Sequence, residues 1–125
     1  MSRKIRIFLC DDVPELRTLL RYGLEEDPLM EIAGEAGTAA EGITEVGRLQ
    51  PDVILLDLSM PGMDGLEAIP HMRAAAPAAA IIVFSGFAAD RMRDAALALG
   101  AVGYVEKGAP LDRLRATVLE LAAAA

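Results

Sequence analysis

The chain has 125 residues, enough for one domain with its own core and too few for a second folded unit. A net charge of −7, from 19 acidic against 12 basic residues, argues against docking on nucleic-acid phosphates or an anionic membrane; it fits protein partners and a cation. Hydrophobic residues make up 54% of the chain but aromatics only 4%, so the expected core is aliphatic, and no tryptophan is available for a stacking platform.

Apolar runs bounded by turn residues alternate with segments of helical period. Residues 5–10 read as a strand that ends at Asp11-Asp12 without a small-residue cleavage motif, so it does not read as a secretory signal. Other apolar runs are too short to span a bilayer. The expected location is the cytoplasm, with the lone Cys10 an inert buried strand residue. A helix over 14–26 starts at Pro14 and is expected to turn Leu16, Leu19, Leu20 and Leu24 inward. A short strand over 31–34 precedes a helix over 39–49, indistinct at its start, with Ile43 and Val46 inward.

Residues 53–56 form an aliphatic run ending at Asp57, the pattern of a strand covered on both faces. The turn over 59–65 leads to a helix reaching about residue 74, with Leu66, Ile69 and Met72 inward and a bend expected at Pro70. A strand over 80–84 is followed by a helix over 90–99, stopped by Gly100. A strand over 102–105 precedes a last helix from near Pro110, with Leu111, Leu114, Val118 and Leu121 on one stripe. Residues 122–125 prolong that helix or fray.

Five strand–helix units imply an α/β, doubly wound parallel sheet, because each parallel crossover needs a helix-length connection. The length fits a flavodoxin-like (βα)5 fold of strand order 2-1-3-4-5, with residues 1–125 as a single domain. A dinucleotide fold is disfavoured: the first strand is followed by Asp11-Asp12, which would repel a pyrophosphate, and not by G-x-G-x-x-G.

Polar residues interrupt the apolar pattern at the carboxyl ends of the strands: Asp11 and Asp12, Asp57, Ser85 and Lys107. In this strand order the ligand crevice lies between the first and third strands, which brings the three aspartates together. Their mutual repulsion calls for compensation, which Mg²⁺ with its preference for hard oxygen ligands would provide, with Lys107 as a second cation. The chemistry suggested is attack of an Asp57 carboxylate oxygen on a phosphoryl donor, with Lys107 and Ser85 on the remaining phosphoryl oxygens. The alternative is that Asp11 and Asp12 cap the first helix and Asp57 its own turn.

The segments "FLCDD", "DVILLDLSMPGMDG", "IIVFSG" and "GAVGYVEKGAP" together resemble the bacterial response-regulator receiver domain over nearly the whole chain. The resemblance implies that Asp57 is the phosphoacceptor, Asp12 a direct Mg²⁺ ligand, Asp11 a ligand often acting through water, and the Ser59 backbone carbonyl a further ligand. It also implies that Ser85 is the hydroxyl that moves toward the phosphoryl group and Tyr104 the aromatic switch that follows; Tyr104 as an ordinary, partly buried strand residue is the alternative. Two departures from the family pattern affect the loops: Lys107 is followed by Gly108 where proline is frequent, and Ser85 by Gly86. Within the family, "KGAP" is similar to receivers of nitrate-regulator type.

The resemblance further implies a histidine kinase or phosphotransfer protein as phosphodonor and slow self-dephosphorylation instead of enzymatic turnover. Signalling is expected through the fourth helix, fifth strand and fifth helix, to an output protein or a phosphorylation-dependent homodimer, without direct nucleic-acid or membrane contact. Competing readings are the receiver part of a longer DNA-binding regulator, a degenerate constitutive binding module, and a halo-acid-type phosphatase. The last would need an acid two residues after Asp57, where Ser59 stands. His71 reads as a surface side chain, and Gly62 and Gly65 as turn formers. Met60 and Met63 either shape the entrance or pack, and Phe87 either limits access to Asp57 or anchors its loop.

Overall fold

The computed structural model describes residues 3–124, so the expected fraying or extension at Ala125 lies outside the described residues. Strands and helices alternate as β1 (Ile5–Cys10), α1 (Pro14–Glu25), β2 (Met30–Ala36), α2 (Ala39–Leu49), β3 (Val53–Leu56), α3 (Gly65–Ala75), β4 (Ala80–Ser85), α4 (Ala89–Leu99), β5 (Gly103–Glu106) and α5 (Leu111–Ala124). The strands form one sheet in the order β2-β1-β3-β4-β5. All four neighbouring pairs are parallel, as the strand–helix alternation implies.

The two-residue period of the strands divides the interior into two cores. Phe8, Cys10, Ile54, Leu56, Ile81 and Val83 face one side and pack with Val46 of α2, Ile69 and Met72 of α3 and Ala96 of α4. Ile7, Leu9, Val53, Leu55, Ile82 and Phe84 face the other side, against Leu20 and Leu24 of α1 and Leu114 and Val118 of α5. A sheet buried on both faces needs continuous apolar strands, which is why β3 and β4 carry no alternation in hydropathy. Among the described residues no helix is long and apolar enough to cross a membrane.

Several expectations are corrected. Leu19 is 64% exposed, not inward; the buried stripe of α1 is narrower than its run of leucines and consists of Leu20, Gly23 and Leu24. Strand β2 runs from Met30 to Ala36, beyond the expected 31–34, because Glu35 is accommodated on the sheet edge by Arg17 and Arg21. Its register slips between Ile7 and Phe8, which pair with Ile32 and Gly34. Helix α3 is continuous through Pro70, which lies on its exposed side, where an irregular turn was expected. Helix α2 has a defined start: the Thr38 hydroxyl accepts a hydrogen bond from Glu41 N at 3.2 Å.

Candidate functional site

The carboxyl ends of β1 and β3 are adjacent, because Cys10 pairs with Leu56. The Asp57 N–H extends this ladder by donating to the Cys10 carbonyl at 2.9 Å, and the Asp11 N–H donates to Ala36 O of β2 at 3.0 Å. Both aspartates therefore leave the sheet with fixed backbones, and both are buried, at 4% and 2% exposure. Asp12, one residue further out, is exposed. One carboxylate oxygen from each of Asp11, Asp12 and Asp57 lies within 4.8 Å of the others.

The buried carboxylates are oriented by short local bonds. Asp11 Oδ1 accepts from Val13 N at 2.9 Å. Asp57 Oδ1 accepts from Ser59 N at 3.1 Å and from the Ser59 hydroxyl at 3.0 Å. Their other oxygens meet Lys107, whose Nζ stands 2.9 Å from Asp11 Oδ2 and 3.4 Å from Asp57 Oδ2. Lys107 is aimed there from the residue after β5, where its N–H donates to Ser85 O at 2.8 Å. Burial works against the Lys107 charge. The hydrogen bond to Asp11 and the negative charges of Asp57 and Asp11 outweigh that effect, so its pKa lies above the ordinary 10.5.

Three carboxylates with an amine at their back form an all-oxygen donor set for a small hard cation. The 4.8 Å spread slightly exceeds the roughly 4 Å between opposite ligands of one Mg²⁺, so one arm would close inward or bind through water. The donor set fits a divalent cation.

Neither Ser85 nor Tyr104 makes a hydrogen bond to Asp57 among the described residues. The Ser85 hydroxyl, fully buried, accepts from Phe87 N at 3.1 Å, while Tyr104 Oη donates to Phe87 O at 2.9 Å. Both side chains thus hold the main chain of Phe87, whose ring is 46% exposed. Burial raises the Tyr104 phenol above its usual pKa. All peptide bonds of the described residues are trans, including that between Lys107 and Gly108. A groove of about 660 Å³ beside Lys107 is lined by Gly86, Arg93, Tyr104 and Arg113 among others.

Met60 is buried and packs beneath the site, 3.9 Å from Cys10 Sγ, which makes it a core residue. Cys10 is inert: burial, reinforced by the charges of Asp11 and Asp57, pushes its thiol up to about 12. His71 is exposed on α3, away from the strand ends. Gly62 adopts φ of 92°, a turn conformation that suits glycine. The sequence reading passed over Arg17, which donates to Asp11 O and to Glu35 Oε1. Its sequence signal is its place one turn into a helix, where side chains lean back toward the N-terminus and the acidic pair.

Residues 7–119 match the family described as response regulator receiver domain. The nitrate/nitrite response regulator protein NarL of Escherichia coli is 41% identical over 111 residues, which cover 88% of this chain and 51% of NarL. A protein-glutamate methylesterase/protein-glutamine glutaminase of Agrobacterium fabrum is 39% identical over 115 residues, covering 90% of this chain and 32% of that protein. The chain thus spans about half the length, or less, of these curated relatives. Among solved structures, a LuxR-family two-component response regulator from Aurantimonas sp. superposes with a TM-score of 0.91 at 31% identity, covering 97% of this chain and 86% of that one. The receiver domain of a putative NarL from Mycobacterium tuberculosis gives 0.89 at 28% identity, covering 97% and 98%. The acidic cluster stands at the strand ends of a matching fold, and the chain belongs to the response regulator receiver domain family, a signalling module.

Proposed function

We propose that residues 1–125 form one receiver domain that accepts a phosphoryl group on Asp57 in a Mg²⁺-dependent reaction. The observation that carries this reading is the convergence of Asp11, Asp12 and Asp57 within 4.8 Å, with Lys107 bonded behind them. Asp11, Asp12, Asp57 and the Ser59 carbonyl would hold the cation. When bound, Mg²⁺ supplies positive charge to the nucleophile and to the transferring phosphoryl oxygens.

An Asp57 carboxylate oxygen attacks phosphorus in line. Its new O–P bond replaces the P–N bond to a phosphohistidine of a kinase or phosphotransfer protein, and the electron pair returns to the imidazole. Acetyl phosphate would serve in the same way through its P–O bond. Lys107 shields the Asp57 charge from behind, and after transfer its amine is placed to pair with a phosphoryl oxygen. Hydrolysis, by water attacking the same phosphorus, is slow because no side chain next to Asp57 acts as a strong general base.

Ser85 and Tyr104 form the switch. The phosphoryl group recruits the Ser85 hydroxyl away from Phe87 N, which loosens the loop that Tyr104 holds from the other side. The signal leaves through α4, β5 and α5, whose groove takes an output protein or a second receiver. The setting is the cytoplasm, and the regulated output lies beyond this domain, as relatives with different named activities share the same module. Intact-mass measurement after incubation with acetyl phosphate tests the reading: one added phosphoryl group with Mg²⁺ and none with EDTA.

A further inference from the structure

We infer that Arg17, bridging Glu35 and the main chain of Asp11, is a positioning residue for cation binding, an inference that rests on the metal-dependent reading above. The Asp12 carboxylate is exposed and makes no hydrogen bond among the described residues, so the protein controls its reach only through the backbone that carries it. That backbone follows the Asp11–Asp12 peptide plane. On the Asp11 side the N–H is fixed by Ala36 O at 3.0 Å, and the carbonyl is held by Arg17 Nη1. Arg17 is anchored in turn: its Nε donates to Glu35 Oε1 at 2.8 Å, and its side chain is only 16% exposed. Arg21 holds the other oxygen of Glu35 at 2.5 Å. A planar guanidinium reaches two acceptors at once in fixed geometry, whereas the point charge of a lysine does not. The chain β2 edge, Glu35, Arg17, Asp11 carbonyl thus ends at the one carboxylate of the cluster that lacks its own support.

The sign of the effect separates positioning from charge. Deleting a cation beside three carboxylates would by electrostatics alone tighten binding of a divalent cation. Loss of the brace instead weakens it, by about tenfold or more on the scale of supports behind metal ligands. The test is calorimetric titration of the whole chain with Mg²⁺, alongside urea unfolding of each variant in EDTA. The expected result is tenfold or more weaker binding for Arg17→Ala, a shift in the same direction for Glu35→Gln, and binding within about twofold of wild type for Arg21→Ala. Unchanged or tighter binding by Arg17→Ala, or full rescue by Arg17→Lys, overturns the inference while leaving the phosphoacceptor reading intact. Absence of Mg²⁺ binding by the wild type overturns both. Should Arg17→Ala fail to fold, Arg17→Lys decides, since it keeps the positive charge and removes the planar fork: clearly weaker Mg²⁺ binding supports the brace, and wild-type binding overturns it.

Discussion

Lys107 Nζ lies 2.9 Å from Asp11 Oδ2, a closer approach than the 3.4 Å to the proposed phosphoacceptor Asp57. The amine is therefore held mainly by Asp11 while standing within reach of a new negative group on Asp57. In the same position it offsets the repulsion between two carboxylates that the fold buries.

Lys107→Met keeps most of the side-chain volume and removes this charge. Two buried carboxylates are then left facing each other, and stability in EDTA is expected to fall by about 1–3 kcal/mol. Mg²⁺ should restore part of the loss, since a ligand of the folded state alone stabilises it. Urea unfolding of wild type and variant, with and without Mg²⁺, measures both effects.

The same ion pair fixes a pH dependence. The folded-state pKa of Lys107 is raised above 10.5, so its contribution to stability is complete below that value and disappears as pH rises through the folded-state value. The stability difference between wild type and Lys107→Met in EDTA should be constant from neutral pH upward and close above 10.5. Urea midpoints over an alkaline pH series provide the check.

Gly65 opens α3 directly over Leu58, the residue after Asp57. A Cβ at this position would lie 2.4 Å from Leu58 Cα and 2.8 Å from Leu58 O, contacts that only a backbone shift can relieve. Gly65→Ala should lose about 1–3 kcal/mol, the range for overpacking, and slow phosphorylation through displacement of Asp57. Gly108→Ala, where a Cβ meets nothing within 4 Å, should stay within about 0.5 kcal/mol of wild type. Chemical denaturation of the two variants tests the contrast.

The two bonds on Phe87 are separable. Ser85→Ala removes the acceptor of the Phe87 N–H, whereas Tyr104→Phe removes the donor to its carbonyl. Amide hydrogen exchange at Phe87 should accelerate in Ser85→Ala and remain near wild type in Tyr104→Phe. The reverse pattern would show that the tyrosine alone closes the loop.

The legible parts of the sequence were those where a local pattern has one solution. Val53–Leu56 and Ile5–Cys10 are unbroken apolar runs ending in aspartate, and the structure has those strands with those bounds. The meeting of Asp11, Asp12 and Asp57 followed from strand order, because a parallel sheet gathers its carboxyl ends on one edge. Strand β2 was read as ending at Gly34 because Glu35 breaks an apolar pattern; only tertiary contact shows Glu35 paired with Arg17 and Arg21 of α1. The helix over 39–49 has the expected bounds, and only its cap was not recognised, although Thr38-Ala39-Ala40-Glu41 carries the spacing of a capping box. Leu19 stays exposed because it lines an open groove with Leu16, Leu111 and Leu114, which no helical period encodes.

The most direct measurement is the chemical identity of residue 57 after phosphorylation. An acyl phosphate on a β-carboxylate is reduced by borohydride to the alcohol, which converts aspartate into homoserine. After acetyl phosphate and Mg²⁺ treatment, peptide sequencing should find homoserine at position 57 and at neither Asp11 nor Asp12, with none in EDTA. Homoserine at position 11 or 12, or unmodified aspartate at 57 in folded, Mg²⁺-loaded protein, would contradict the account.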